Sequence, residues 1–261
     1  MMIRTMMKPA LALRMAAAAL TLALVQGCAT GPNANPADPL EPFNRSVFSF
    51  NEGLDRAVLK PVATAYRDIT PSPVRTGVTN FFGNIVDVWS LVNNVLQLKP
   101  KESVETLMRI SFNTIFGFAG VIDIATEMRL EKHTEDFGQT LGYWGVGSGP
   151  YVVLPLLGPS SVRDTVGTVV DINADLVNRT DRVPVRNSLG VLRLVNLRAN
   201  YLDAGNVLEQ ASLDKYSFTR DAYLQRRQSL IRDGAPEPEE RYDLPEAAPA
   251  PAGAGTPPAA K

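Results

Sequence analysis

"SPVRTGVTNFFGNIVDVWSLVNNVLQLK", Ser72 to Lys99, carries two patterns at once. Val74, Val78, Phe81, Ile85, Trp89, Val92 and Leu96 fall at steps of three and four, the spacing of one helix face. Between Arg75 and Lys99 the only charge is Asp87; the polar positions are mainly Thr79, Asn80, Asn84, Ser90, Asn93, Asn94 and Gln97. Soluble helices usually carry charge on the face turned away from the core. The stretch therefore predicts a long amphipathic helix whose polar side is almost uncharged.

The flanking segments repeat the helical period. "EPFNRSVFSFNEGLDRAVLKPVATAYRD" sets Phe43, Val47, Phe50, Leu54 and Val58 on one face, with Asp38 or Asn35 as its cap and Pro61 ending or kinking it. A third helix starts near Lys101 and runs into "ISFNTIFGFAGVIDIATEM". Ile110 to Ile122, thirteen residues, hold no charge. That is too short for a helix to cross a hydrocarbon core of about 30 Å, and on pattern alone it reads as a core helix. "SSVRDTVGTVVDINADLVN" starts with a Ser160 or Ser161 cap. Leu189, Leu192, Val195, Leu202 and Leu208 mark one further helix, and "LDKYSFTRDAYLQRRQSLIRD" closes the domain. No strand ladder is evident, and "PYVVLPLL" is interrupted by proline. The fold class is all-α.

"TLGYWGVGSGPYVVLPLLGPS", Thr140 to Ser160, breaks the pattern: uncharged, glycine-rich and apolar. Loops are normally polar. Gly145, Gly147 and Gly149 suit a hinge or hairpin, since glycine reaches dihedrals closed to other residues, although glycine and proline clusters are often plain turns.

The N-terminus has a basic start and then "MAAAALTLALV", the length of an export-signal apolar region. "VQGC" follows and fits a lipoprotein-processing box, with Gln26 its poorer position. Residues 1–27 read as a lipoprotein signal peptide and Cys28, the only cysteine, as the lipidated first residue of a linker, 28–39. Three acyl chains there exceed the two signals that stable anchoring needs. Ala29 after it, in place of Asp, points to the outer membrane. Residues 40–233, roughly 195, make one helical domain, and 234–261 a Pro/Ala-rich disordered tail. The net charge of -1 without a basic block argues against nucleic acid.

No catalytic constellation emerges. His133 reads as a lone surface imidazole rather than a metal ligand, because partner ligands are missing. Asp136 to Gly138, "DFG", lacks every companion motif of a kinase. Ser148 is in no nucleophile elbow, and Gly145 to Gly149 is no dinucleotide fingerprint. Asp164, Asp171 and Asp175 fall at intervals that let them share a helix face, and Glu135 and Asp136 are adjacent; a hydrolase could be built from such carboxylates, but a solvated helix face is the simpler reading. We expect no catalytic residue, no metal, and no cofactor beyond N-acyl and S-diacylglyceryl lipid on Cys28.

"DPLEPFNRSVFSFNEGLD", "KPVATAYRDITPSPVRTGVTNFFGN", "RISFNTIFGFAGVIDIA", "EDFGQTLGYWGVGSGPYVVLPLLGPSSVRD" and "RDAYLQRRQSLI" together resemble the MlaA/VacJ family of outer-membrane lipoproteins, in order and across the domain. The resemblance implies an all-helical ring in the inner leaflet of a Gram-negative outer membrane, facing the periplasm. A central amphipathic channel would pass mislocalised phospholipid to a soluble periplasmic carrier of the Mla system, for return to the inner membrane. A trimeric porin is the implied neighbour. The short apolar runs then become lipid-facing, Asn80, Asn84 and Asn93 become candidate channel lining, and Tyr143, Trp144 and Tyr151 become candidate membrane-interface aromatics.

Overall fold

The computed structural model describes residues 35–235. The expected signal peptide, Cys28 and most of the expected tail lie outside the described residues. The chain forms α1 (Glu41–Leu54), a π-helical turn (Asp55–Leu59), α2 (Lys60–Ile69), α3 (Ser72–Leu96), α4 (Pro100–Ile115), α5 (Ile124–Glu127), α6 (Phe137–Tyr143), strands β1 (Tyr151–Leu154) and β2 (Gly158–Ser161), α7 (Val162–Ala174), α8 (Val183–Asn200), α9 (Leu202–Ala211) and α10 (Lys215–Ile231).

The decisive helix, α3, is inside out. Its buried residues are Gly77, Phe82, Asn84, Asp87, Ser90, Asn93 and Asn94, so the buried stripe is mostly polar, while Val74, Val92 and Val95 face outward. The facing helix α4 answers in kind, burying Thr106, Arg109 and Asn113 and exposing Val104, Leu107 and Met108. On α7, Val162, Val166, Val169 and Ile172 form an outward apolar stripe, while Arg163 and Asp164 turn inward. Spacings of three and four put each set on one face. Buried apolar clusters are small: Ala63, Ala199 and Leu202 in one, Tyr151, Val153 and Tyr216 in the other. No helix among the described residues is long and apolar enough to cross a membrane.

The polar interior is held by directional bonds. Arg109, 2% exposed, donates to both Asp123 oxygens at 3.1 and 2.9 Å and to the Leu130 carbonyl at 2.6 Å. Asn84 Nδ2 donates to Thr114 at 3.0 Å. Gln97 Nε2 donates to Glu135 Oε2 at 2.9 Å and to Thr140 at 3.0 Å, and Thr140 Oγ1 donates to Asn93 Oδ1 at 2.8 Å. Buried polar groups need such partners, since each one left unpaired costs about 1–3 kcal/mol.

Packing runs from α2 to α8, α8 to α3, α3 to α6 and α6 to α10; α10 reaches β2, and β1 returns to α1. These contacts close a helical ring. The ladder expected to be absent is present: Tyr151 pairs with Ser161 and Leu154 with Gly158 in an antiparallel hairpin. Pro155 falls in its turn and Pro159 pairs with Val153 on a sheet of only two strands, where proline's missing donor is tolerated. The third helix stops at Ile115 rather than continuing to Ile122. Phe118, Ala119 and Gly120 take positive φ, which no helix continues, and the 116–122 turn leaves Phe118 77% exposed. One helix was expected through Leu189–Leu208; Tyr201 divides it into α8 and α9. Pro61 does not end α1. The chain widens into the π turn, with Lys60 N donating to Asp55 O, and continues into α2. A widened turn absorbs the missing donor and crowded carbonyl that proline brings.

Neither Asp38 nor Asn35 supplies a side-chain cap to α1. Asp38 is buried instead, accepting from Asn44 and Tyr216 at 2.8 and 2.5 Å and from Arg220 at 3.3 Å. Ser161 does cap α7, accepting from Asp164 N at 3.1 Å. Asn44 grips the hairpin: Nδ2 donates to Tyr151 O at 3.0 Å, and Oδ1 accepts from Val153 N at 2.9 Å. Asn44→Ala removes these bonds and the one to Asp38. We expect a loss of about 3 kcal/mol in urea unfolding of the detergent-solubilised protein, with amide exchange accelerated most at Val153. Unchanged exchange there would show that the hairpin stands without this grip.

Candidate functional site

A cavity of about 740 Å³ opens between α1, the π turn, the hairpin turn, α8, α9 and α10. The π turn brings Asp55 and Leu59 into one wall. Opposite, Leu156 and Gly158 turn the hairpin with φ of 67° and 86°, leaving Leu156 and Leu157 exposed on the cavity. Asn51 holds that turn, its Nδ2 donating to Leu154 O at 3.0 Å and its Oδ1 accepting from Leu156 N at 2.9 Å. Asn44 and Asn51 lie seven residues apart on α1, so one helix face clamps both ends of the hairpin.

Apolar and charged groups alternate around the cavity. Phe48, Leu59, Leu156, Leu157, Tyr201 and Leu208 supply apolar wall. Asp55 accepts from Arg198 at 2.6 and 2.8 Å, and this hydrogen bonding raises the Arg198 pKa. Lys215 pairs with Glu52 and lies 3.8 Å from Glu209, which also pairs with Lys60 at 3.3 Å. Arg226 lines the same wall. Apolar surface and paired charges thus stand side by side in one wall.

The buried carboxylates away from the cavity are fastened. Asp164 accepts from Arg163, Arg227 and Tyr223, the last at 2.7 Å, and Arg227 also donates to Asp136 at 2.6 Å, joining α6, α7 and α10. Burial alone would raise the Asp164 pKa, but the bonds from Arg227 and Tyr223, with the charge of Arg227, bring it below the ordinary value. Asp171 accepts from Trp89 Nε1 at 2.7 Å and Phe137 N at 2.9 Å, and Asp175 pairs with Arg193. The expected solvated carboxylate face is thus an inward anchor, because the outward face of α7 is apolar. Glu135 likewise is buried beside Gln97 and Lys99. His133 is not alone: its Nε2 lies 2.6 Å from Glu105 Oε2, and Glu131 completes a surface trio.

Asn80, Asn84 and Asn93 do not line the cavity. Asn80 Nδ2 donates to the Val121 carbonyl at 3.1 Å, Asn84 ties α3 to α4, and Asn93 is fully buried in the Thr140 network. Tyr143 and Trp144 are half exposed, with Trp144 Nε1 donating to Leu96 O at 3.1 Å. Tyr151 is wholly buried, packed against Tyr216 and Tyr223, so it is no interface aromatic. It opens β1 on the inward pleat, and burial raises its hydroxyl pKa to about 12. Gly145 and Gly149 take φ of 89° and 67°, the conformation glycine permits. Gly147 does not, and a methyl group there would meet nothing within 4 Å. Sequence reasoning missed Asp55, Arg198, Glu209 and Lys215. Their pairing spans up to 163 residues between Glu52 and Lys215, a separation no helical period reveals.

A family model described as MlaA lipoprotein matches residues 36–230. The intermembrane phospholipid transport system lipoproteins MlaA of Shigella flexneri and Escherichia coli (strain K12) are each 38% identical over 236 residues, covering 87% of this chain and 92% of theirs. The protein of that name from Haemophilus influenzae is 32% identical over 233 residues, covering 83% of this chain and 90% of its own. A solved structure concerned with the structural basis for maintenance of bacterial outer membrane lipid asymmetry aligns with a TM-score of 0.66 at 36% identity, covering 74% of this chain and 98% of that one. By its sequence along nearly the whole described length, and by its helical ring, the chain belongs to the MlaA lipoprotein family.

Proposed function

We propose that this protein removes mislocalised phospholipid from the outer leaflet of a Gram-negative outer membrane and passes it inward, preserving lipid asymmetry, with no bond made or broken. The observation that carries this reading is the reversal of polarity: an apolar outer belt on α3, α4 and α7 over a polar interior, in a chain whose other helices and hairpin wall an amphipathic cavity. Apolar belts of this extent mark contact with lipid or protein. A headgroup crossing a low-dielectric layer needs polar company, since unpaired burial costs several kcal/mol, and the charged cavity wall offers it.

The finer assignments follow from the same reading. Cys28 carries the lipid anchor, and the ring sits in the inner leaflet facing the periplasm. The tip at 116–122, with Ile115, Phe116 and Phe118 exposed, enters the acyl region. A trimeric porin and a soluble periplasmic carrier of the Mla system are the partners. Tyr143 and Trp144 rest at the membrane–water boundary.

Three measurements test this. Purified full-length protein is incubated with vesicles of labelled phospholipid; we expect lipid to be carried without conversion, and release of lysolipid or free fatty acid would replace transport by hydrolysis. Cys28→Ala is expected to abolish palmitate labelling, and continued labelling would move the anchor elsewhere. Finally, Gly147 lies between two positive-φ glycines, next to Val146 and Ser148, whose carbonyls accept from Arg163. If the loop hinges there, Gly147→Pro leaves thermal unfolding nearly unchanged but shifts survival in detergent plus chelator. A folded variant with wild-type survival would leave Gly147 a plain turn residue.

A further inference from the structure

A second cavity, about 450 Å³, opens beside the first and shares Glu52, Glu209 and Lys215 with it. Its wall adds Arg56 and Lys60. Glu209, near the end of α9, therefore stands among three cations. Its carboxylate lies 3.3 Å from Lys60 Nζ and 3.8 Å from Lys215 Nζ. The hydrogen bond from Lys60, then the charges of Lys60, Lys215 and Arg56, hold its carboxyl below the usual range.

These cations are not equally committed. Lys215 is also engaged by Glu52, and Arg198, in the neighbouring wall, by both oxygens of Asp55. Arg56 is exposed and makes no salt bridge among the described residues. Lys60 has no carboxylate partner but Glu209 among the described residues. Glu209 is moreover the most accessible acid of the group, its side chain 42% exposed against 28% for Glu52 and 22% for Asp55. It is the anion most easily replaced. Leu59 and Leu208, next in sequence to Lys60 and Glu209, line the larger cavity, so apolar wall adjoins this charged corner.

We propose that Lys60, Lys215 and Arg56 form a docking point for a lipid phosphodiester and that Glu209 holds it closed as a built-in anion, which the arriving phosphate displaces. This rests on the transport reading above and adds to it the headgroup element that is read, the phosphodiester common to glycerophospholipids. A phosphodiester and a carboxylate both offer paired oxygens to cations, so one can stand where the other stood. Partner exchange of this kind keeps the cations satisfied in both states and avoids leaving charge bare against apolar wall.

The sign of the expected effect separates this from a merely structural ion pair. Full-length lipidated protein is mixed with phosphatidylcholine vesicles carrying a trace of photoactivatable phosphatidylglycerol, or of an equally photoactivatable diacylglycerol that lacks phosphate, and crosslinks are counted. Glu209→Gln removes the competitor, and we expect phosphatidylglycerol crosslinking to rise about two- to fivefold, the worth of a partly exposed ion pair. Lys60→Gln is expected to lower it by a similar factor. Diacylglycerol crosslinking should change in neither, and millimolar inorganic phosphate should leave all of them unaltered. A fall or no change in Glu209→Gln, equal changes for diacylglycerol, or displacement by inorganic phosphate would overturn the proposal while leaving transport intact. Absence of any lipid crosslink in the wild-type protein would overturn transport itself and this proposal with it. Glu209→Gln is an exposed, isosteric change, and a matching circular dichroism melt ties its result to the site.

Discussion

Arg109 sits at 2% exposure in a protein whose outer surface is rich in valine, leucine and phenylalanine. A guanidinium cannot be left bare in such a place, and breaking a buried pair by removing one partner costs about 3–5 kcal/mol. Its bonds to Asp123, Thr126 and Leu130 fix where α5 lies against α4. Asp123 in turn caps α5 through Thr126 N and accepts from Asn113. Burial alone would raise the Asp123 pKa, yet the hydrogen bonds of Thr126 and Asn113, with the charge of Arg109, bring it down to about 2. Buried pairing repeats at Asp164 with Arg227, where the partners again win, and at Glu135 with Lys99, where burial outweighs the bonds of Gln97 and Lys99 and keeps the carboxyl above its ordinary range. In an ordinary soluble domain apolar burial drives assembly and polar groups stay wet. Here much apolar area faces outward, so directional bonds inside must specify the helix arrangement.

This constraint explains what could be read from the sequence and what could not. Helical period located α3, α4, α7 and α10 because it is a property of the backbone, whatever the surroundings. It could not tell which stripe of α3 turns inward, since an apolar face and its polar opposite give one signal in water and in lipid. The lack of charge between Arg75 and Lys99 was the remaining clue, and it marked the inversion only once the family resemblance supplied a membrane. Asn84 and Asn93 were recognised as unusual but placed facing a passage. Buried amides in a polar interior are more valuable as crosslinks, and both are used that way. Tyr151 failed for a different reason: the alternation of β1 buries it, and strand pairing had been discounted because of the prolines. Asp164 failed because its partner Arg227 is 63 residues away.

The hairpin gathers these threads. Its backbone is non-helical in a region that borders the apolar belt, where unpaired peptide groups are costly. Asn44 and Asn51 supply bonds that a wider sheet would otherwise have given, one at the base of the hairpin and one at its turn. α1 thus bonds both ends of the hairpin, while upstream of it Gly147 has open space on the side where a side chain would stand. The tip residues Leu156 and Leu157 are thereby held over the cavity by α1, the helix that also leads through the π turn into its charged wall.

The π turn is what allows one helix to serve both ends. A straight continuation of α1 into α2 would meet Pro61 with a missing donor and a crowded carbonyl. The one-residue widening at Asp55–Leu59 relieves both, and it advances the helix face by about 100°, the angle between neighbouring residues. Residues past the turn therefore meet different neighbours from those a regular helix would meet. Phe48, Asn51 and Glu52 reach the cavity before it, and Asp55 and Leu59 within it. Beyond it, Ala63 packs with Ala199 and Leu202, and Lys60 reaches Glu209. The apolar hairpin side and the ion-paired side of the cavity are thus linked by a single defect in one helix, and that defect follows from a proline visible in the sequence.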